Sequence, residues 1–138
     1  MVQVDPLIDL LERAGVGRAS AVHVTGPSGL SALLWLCRHG FERVAYVRSG
    51  VAHPHEEPDA VVVAHTCGLA WLQSLLRHGP RVREGGVLIF RSPLPAAGPG
   101  DPVHALLALY GYAVERCVHG AHRELHVARR RSLLAKAA

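Results

Sequence analysis

The sequence predicts one α/β domain, residues 1–138, with a mostly parallel sheet of about six strands. Short apolar segments of strand character alternate along the chain with segments of helical period, which is typical of parallel strands joined by right-handed crossovers. The last two strand segments are separated by only a tight turn, so they must pair antiparallel. The 138 residues leave no room for a second domain of ordinary size.

The composition excludes several classes of protein. Hydrophobic residues make up 49% of the chain and charged residues 19%, so a core can form and disorder is not expected. Every apolar stretch is shorter than the roughly 20 residues of a membrane span. Met1–Gly15 lacks the order of a secretory signal, so we expect a cytoplasmic protein with no membrane partner. Three widely spaced cysteines argue against a disulfide framework.

The elements follow from caps, breakers and periodicity. An Asp-Pro pair at residues 5–6 begins a first helix that Gly15 ends, within an N-terminal lead-in of residues 1–20. Residues 48–58 contain two prolines and are predicted to form a loop. The remaining prediction is a strand at 21–25, a helix at 28–39, strands at 43–47 and 59–64, a helix at 69–78, a strand at 87–91, a helix at 101–110, and hairpin strands at 112–118 and 124–129; residues 129–138 are predicted to form a basic tail.

Four segments carry a resemblance to a known family. They are a glycine-containing turn within Val22–Gly29, an apolar strand within Asp59–Gly68, a glycine pair and strand within Val82–Pro93, and a closing hairpin at Tyr112–Arg130. In this order they resemble the class I S-adenosylmethionine (SAM) dependent methyltransferases. The resemblance implies a three-layer Rossmann-like domain with SAM as the cofactor.

The sequence also departs from the pattern of that family. Pro27 interrupts the glycine turn and lacks an N–H donor. The family has a ribose-binding acid at the end of its second strand, where this chain has Val47 or Arg48, and Glu56, Glu57 or Asp59 would have to reach in from the loop. The 11 residues 48–58 are too few for the third strand and its helices. The resemblance therefore implies the sheet order 2-1-4-5-7-6 in family labels, with strand 3 missing.

Ligands of open α/β sheets bind beyond the carboxyl ends of the strands. The predicted topology gathers several candidates there, and a helix N-terminus beside them would suit an anionic group. His65 is the candidate base for a methyl acceptor, and Cys67 is a candidate ligand or nucleophile. The predicted cofactor-binding residues are Thr25, Gly26, Ser28, Gly29, Arg48, His65 and Thr66.

Zinc and NADP are two further candidate ligands. His53 and His55 with His65 and Cys67 have donor types that suit zinc, but ten histidines make chance pairs common, so no metal is expected. NADP is an alternative cofactor, because the turn approximates T-G-x-x-G-x-x-A and Arg48 could meet a 2′-phosphate. The Tyr-x-x-x-Lys pair of short-chain dehydrogenases is absent.

The sequence thus predicts a degenerate methyltransferase-like domain that acts as a binding or scaffolding module. A minimal active methyltransferase is the alternative. Loss of the third strand would leave the second strand at the sheet edge, open to pairing in a homodimer. Arg129, Arg130 and Arg131 form a basic patch that could contact nucleic acid, although a solvated tail is the simpler interpretation.

Overall fold

One six-stranded sheet organises the chain in a computed structural model, which describes residues 6–47, 57–79, 81–92, 102–119 and 124–131. The strand order is β2-β1-β3-β4-β6-β5. The elements are α1 (Pro6–Arg13), β1 (Ala21–Thr25), α2 (Gly29–Arg38), β2 (Arg43–Tyr46), β3 (Ala60–Thr66), α3 (Leu69–His78), β4 (Val87–Ser92), α4 (Pro102–Leu109), β5 (Tyr112–His119) and β6 (Glu124–Arg130).

The predicted fold class and sheet order are confirmed. Strands β1 to β4 are parallel, β6 pairs antiparallel with β4, and β5 pairs antiparallel with β6. β2 stands at the edge of the sheet beside β1, as the missing third strand requires. β3 runs to Thr66, two residues beyond its predicted end, so His65 and Thr66 belong to the strand itself.

Alternating side chains of the central strands divide the core into two layers. Val22, Val24 and Val62 face α1 and α2 together with Leu11 and Leu36. On the opposite face, α3 and α4 pack with Phe90 in a second cluster. This alternation explains why the central segments are apolar throughout, since strands buried on both faces need hydrophobic residues at every position.

The amino ends of the strands are held by ion pairs. The Asp59 carboxylate accepts a hydrogen bond from the Ala21 backbone N–H at 2.8 Å and pairs with Arg83. The Arg83 hydrogen bond is the main cause that lowers the pKa of Asp59. Arg130 pairs with Glu57 at 2.7 Å. These contacts stabilise the amino ends of the parallel strands, at the end of the sheet opposite to the predicted site.

The predicted basic tail begins too early. Arg129 and Arg130 are the last two residues of β6, where Arg130 donates to the Val82 carbonyl and Arg129 pairs with Glu115. Both guanidinium groups are therefore structural, and of the three arginines only Arg131 is exposed beyond the strand. No helix in the described ranges is both long and apolar enough to cross a membrane. The cytoplasmic location stays a prediction.

Candidate functional site

The turn after β1 brings most of the predicted cofactor residues together. Gly26 has a φ of 105°, which a residue with a side chain rarely adopts, and its carbonyl accepts the Gly29 N–H at 3.0 Å. Ser28 occupies the N-cap position of α2, but its side chain makes no capping hydrogen bond. Ser28 also lines a cavity beside the helix.

The ring of Tyr46 lies on this turn. A Cβ atom on Gly29 would come within 2.1 Å of Tyr46 Cε2, so the ring occupies the space that the glycine leaves open. The Tyr46 hydroxyl donates to the Gly26 carbonyl at 3.4 Å. Gly29 is thus explained by the packing of an aromatic ring against the backbone of the turn. Tyr46 was not among the site residues predicted from the sequence, although its place at the end of β2 was a usable signal.

His65 lies on the other side of the same turn. A Cβ atom on Gly26 would lie 2.6 Å from His65 Nδ1, and the imidazole packs edge-on against Trp71 with ring centroids 4.5 Å apart. His65 Nδ1 and the buried Thr25 Oγ1 have no hydrogen-bond partner among the described residues. The strands therefore bring Thr25, Gly26 and His65 together as predicted, with two polar atoms that a ligand could satisfy.

Burial lowers the pKa of His65, so folding disfavours its protonated form. The unfolded chain then binds more protons than the folded chain between the two pKa values, and stability is lost as the pH falls below about 6.5. We expect His65→Gln to reduce the pH dependence of the free energy of unfolding in that range. Urea titrations of both proteins between pH 7 and pH 5 measure this, and equal slopes would contradict the assignment.

The structure gives Cys67 the environment of an inert thiol. Its side chain is buried in the α3 and α4 core, and desolvation raises its pKa to about 11. The thiolate is the nucleophile and the metal ligand, so this residue is a poor candidate for either role. The sequence-based assignment rested on the position of Cys67 in the chain, which does not reveal that its side chain enters the core.

Alkylation distinguishes the two free cysteines that the structure describes. Cys37 is exposed on α2 and Cys67 is buried. With the folded protein at low micromolar concentration, we expect iodoacetamide to modify Cys37. We expect it to modify Cys67 only after the protein is unfolded in urea. Peptide mass spectrometry locates the modified side chains, and equal rates at the two positions in the folded protein would show that Cys67 is accessible.

Other predicted ligands do not join this site or lie outside the described residues. Arg48, His53, His55 and Glu56 belong to the undescribed part of the chain, so their predicted roles stay predictions. Thr66 is half-buried near the end of β3, in register with Arg91. In the described ranges, no group of three metal-capable side chains comes together.

A cavity of about 380 Å³ opens between α2 and the carboxyl half of the sheet, and we call it the α2 cavity. Its lining is Ser28, Ser31, Ala32, Trp35, Val62, Val63, Ala64, Ile89, Arg91 and Leu125. Trp35 provides an aromatic wall, and no acidic residue takes part. Within the described part of the chain, the Arg91 guanidinium has no ion-pair partner, so the cavity combines apolar walls with one available positive charge.

Similar solved structures agree in their fold. The ribosomal protein L11 methylase of Lactobacillus delbrueckii subsp. bulgaricus has a TM-score of 0.64 at 16% identity, over 91% of this chain and 76% of its own. A sugar N-methyltransferase of a Streptoalloteichus species has a TM-score of 0.59 at 15% identity, over 96% and 97%.

An O-methyltransferase from neocarzinostatin biosynthesis, in complex with SAM and 2-hydroxy-5-methyl naphthoic acid, has a TM-score of 0.52 at 18% identity. The match covers 85% of this chain and 50% of the O-methyltransferase. Neither the family profiles nor the curated proteins give a match to this sequence. The likeness concerns three-dimensional structure, and the fold of this chain is the Rossmann-like fold of class I SAM-dependent methyltransferases.

Proposed function

We propose that this chain is a binding module of methyltransferase fold whose SAM site is incomplete, and that it does not transfer methyl groups. The contact between the Tyr46 ring and Gly29 is the observation that carries this proposal. A glycine turn serves a nucleotide cofactor by letting it approach the backbone closely. Here the Tyr46 ring occupies the space through which a cofactor would approach the backbone of the turn.

The missing ribose contact supports the same conclusion. Val47, directly after β2, is a buried apolar residue whose N–H donates to the Val24 carbonyl. Glu57 and Asp59, the described acids that could have replaced the carboxylate, are paired with arginines at the amino ends of the strands. These two acids therefore lie at the amino ends of the parallel strands, whereas a ligand at the turn would lie at the carboxyl ends.

What remains suits only one end of such a ligand. The α2 cavity offers Arg91, the hydroxyls of Ser28 and Ser31, and the N-terminus of α2 to an anionic group. SAM and its product S-adenosylhomocysteine both carry a carboxylate, and SAM is bound in a similar solved structure. The described residues therefore fit the carboxylate of SAM but neither its ammonium group nor its nucleoside, and we expect weak binding without productive orientation.

Calorimetric titration tests the proposal. The untagged protein is titrated in parallel with SAM, S-adenosylhomocysteine and NADPH. We expect dissociation constants for SAM and its product no tighter than about 1 mM, or no heat at all, against the micromolar affinities usual for enzymes and their small ligands. Micromolar binding of SAM would overturn the proposal, and micromolar binding of NADPH would favour the dinucleotide alternative.

A minimal active methyltransferase is the second candidate, and one observation favours it. His65 lies in the crevice beside the turn, and its lowered pKa keeps the imidazole neutral, as a general base must be. This candidate predicts micromolar SAM binding in the same titration. It also predicts that His65→Gln abolishes methyl transfer to an acceptor while SAM affinity is retained, since a base acts on the acceptor proton.

A further inference from the structure

The flank of α2 that faces away from the α2 cavity is apolar and exposed. Ala32 and Trp35 line the cavity above β3 and β4. With 3.6 residues per turn, Leu30, Leu34 and Cys37 lie on the opposite flank of the helix. This flank lies above β2, at the edge of the sheet. Leu30 is 65% exposed and Leu34 is 57% exposed. Four residues apart on the helix, the two leucines are neighbours and form one apolar patch, which a partner could cover.

The strand below this flank, β2, also has backbone groups available for hydrogen bonding. β2 pairs with β1 on one side, and on its outer side no described strand meets it. Arg43, Ala45 and Tyr46 are exposed, so the edge is accessible. The unpaired N–H and C=O groups of an edge strand are satisfied best by another extended strand. A partner that covers both surfaces must therefore present a strand with an apolar helix on the same side of it.

We infer that β2 and the exposed flank of α2 form a homodimer surface that takes a second copy of this chain. The copy itself has the required strand and helix. A two-fold axis normal to the sheet pairs β2 antiparallel with its copy and keeps both α2 helices on one face. Leu30 and Leu34 then meet Leu30 and Leu34 of the copy. The same two-fold axis thus buries both the outer edge of β2 and the exposed leucines.

The side chains of β2 favour one register. Val44 packs in the α1 and α2 core layer, so residues of the same face meet when Val44 lies opposite its copy. This register places Arg43 opposite Ala45 and Glu42 opposite Tyr46, so no like charges face each other across the pair. β2 has only four residues, so the interface is small and we expect a dissociation constant in the micromolar range.

Sedimentation velocity of the untagged full chain, from low micromolar to submillimolar concentration, tests this inference. We expect a monomer–dimer equilibrium that the double variant Leu30→Glu/Leu34→Glu shifts to monomer, raising the dissociation constant by at least about tenfold. The control is Leu109→Glu, an 80% exposed position on α4, which we expect to leave the equilibrium unchanged. Matching urea unfolding curves establish that each variant is folded.

Cross-linking at Cys37 gives a second readout, because the two-fold axis brings the Cys37 side chains of both copies to the same interface. A short bis-maleimide should join Cys37 to Cys37, as identified by peptide mass spectrometry, and Cys37→Ser should abolish that product. A monomer at every concentration would overturn the inference. So would a dimer that persists in the folded leucine double variant, since another surface would then hold it. Neither result depends on SAM binding, so the proposed function is tested separately.

Discussion

Replacing Phe90 with alanine is expected to cost about 3–5 kcal/mol of the free energy of unfolding. Phe90 is 1% exposed at the centre of β4 and stacks on the His126 ring with centroids 4.9 Å apart. Its removal leaves a cavity between the sheet and the α3–α4 layer, and the adjoining strands pair on both sides, which restricts collapse.

Urea unfolding measures the effect of Phe90→Ala, and an unchanged slope of free energy against urea shows that the folded state is retained. The matched control is Leu109→Ala on α4, where the side chain is 80% exposed and the change should stay within about 0.5 kcal/mol. A cost below about 1 kcal/mol for Phe90→Ala would mean that the core is not packed as described.

Replacing Arg129 with methionine should cause the largest loss among the polar positions, about 2–4 kcal/mol. Its guanidinium donates to the carbonyls of Gly85 and Ala14 and pairs with Glu115. It thus ties the end of β6 to the residues after α1 and to the turn before β4. The variant leaves two half-buried carbonyl oxygens without this donor, and an acceptor left unsatisfied away from water costs more than the net value of one hydrogen bond.

The control for Arg129→Met is Arg131→Met, two residues on, where the side chain is exposed and makes no ion pair within the described residues. Thermal unfolding of both variants at low and high salt gives the comparison. The carbonyl contacts should resist salt, whereas the partly exposed pair with Glu115 should not. Equal stability of the two variants would show that Arg129 is a solvated residue, as the sequence analysis proposed.

The fold was predictable because it depends on periodicity and chain length. The runs at 60–64 and 87–90 are apolar at every position, which distinguishes central strands from edge strands, and the 11-residue interval 48–58 excludes another crossover. The boundaries failed where composition changes gradually. His65 and Thr66 continue β3 although they are polar, because the backbone pairing with β4 extends to Thr66.

The site was predictable only in part, because the spacing of residues along the sequence does not determine where each side chain points. The turn residues and His65 come together since carboxyl ends of parallel strands share one edge. The directions of three other side chains needed the structure: Tyr46 folds over Gly29, Cys67 enters the core, and Arg91 points into the α2 cavity. Arg129 was placed in a tail because a run of three arginines resembles a solvated segment.

The central claim is that Tyr46 and the absent carboxylate, taken together, disable the SAM site. Titration of Tyr46→Asp with SAM tests it most directly, because this one change uncovers Gly29 and places an acid on β2 next to Val47 and Arg48, the positions that the resemblance gives to the ribose-binding acid. Tyr46→Ala, which uncovers the turn alone, is the matched control. We expect Tyr46→Asp to bind SAM at least about tenfold more tightly than the unmodified protein, with Tyr46→Ala between the two, since a charged hydrogen bond contributes about 1.5–3 kcal/mol. Unchanged or weaker SAM binding by a folded Tyr46→Asp variant would contradict the account.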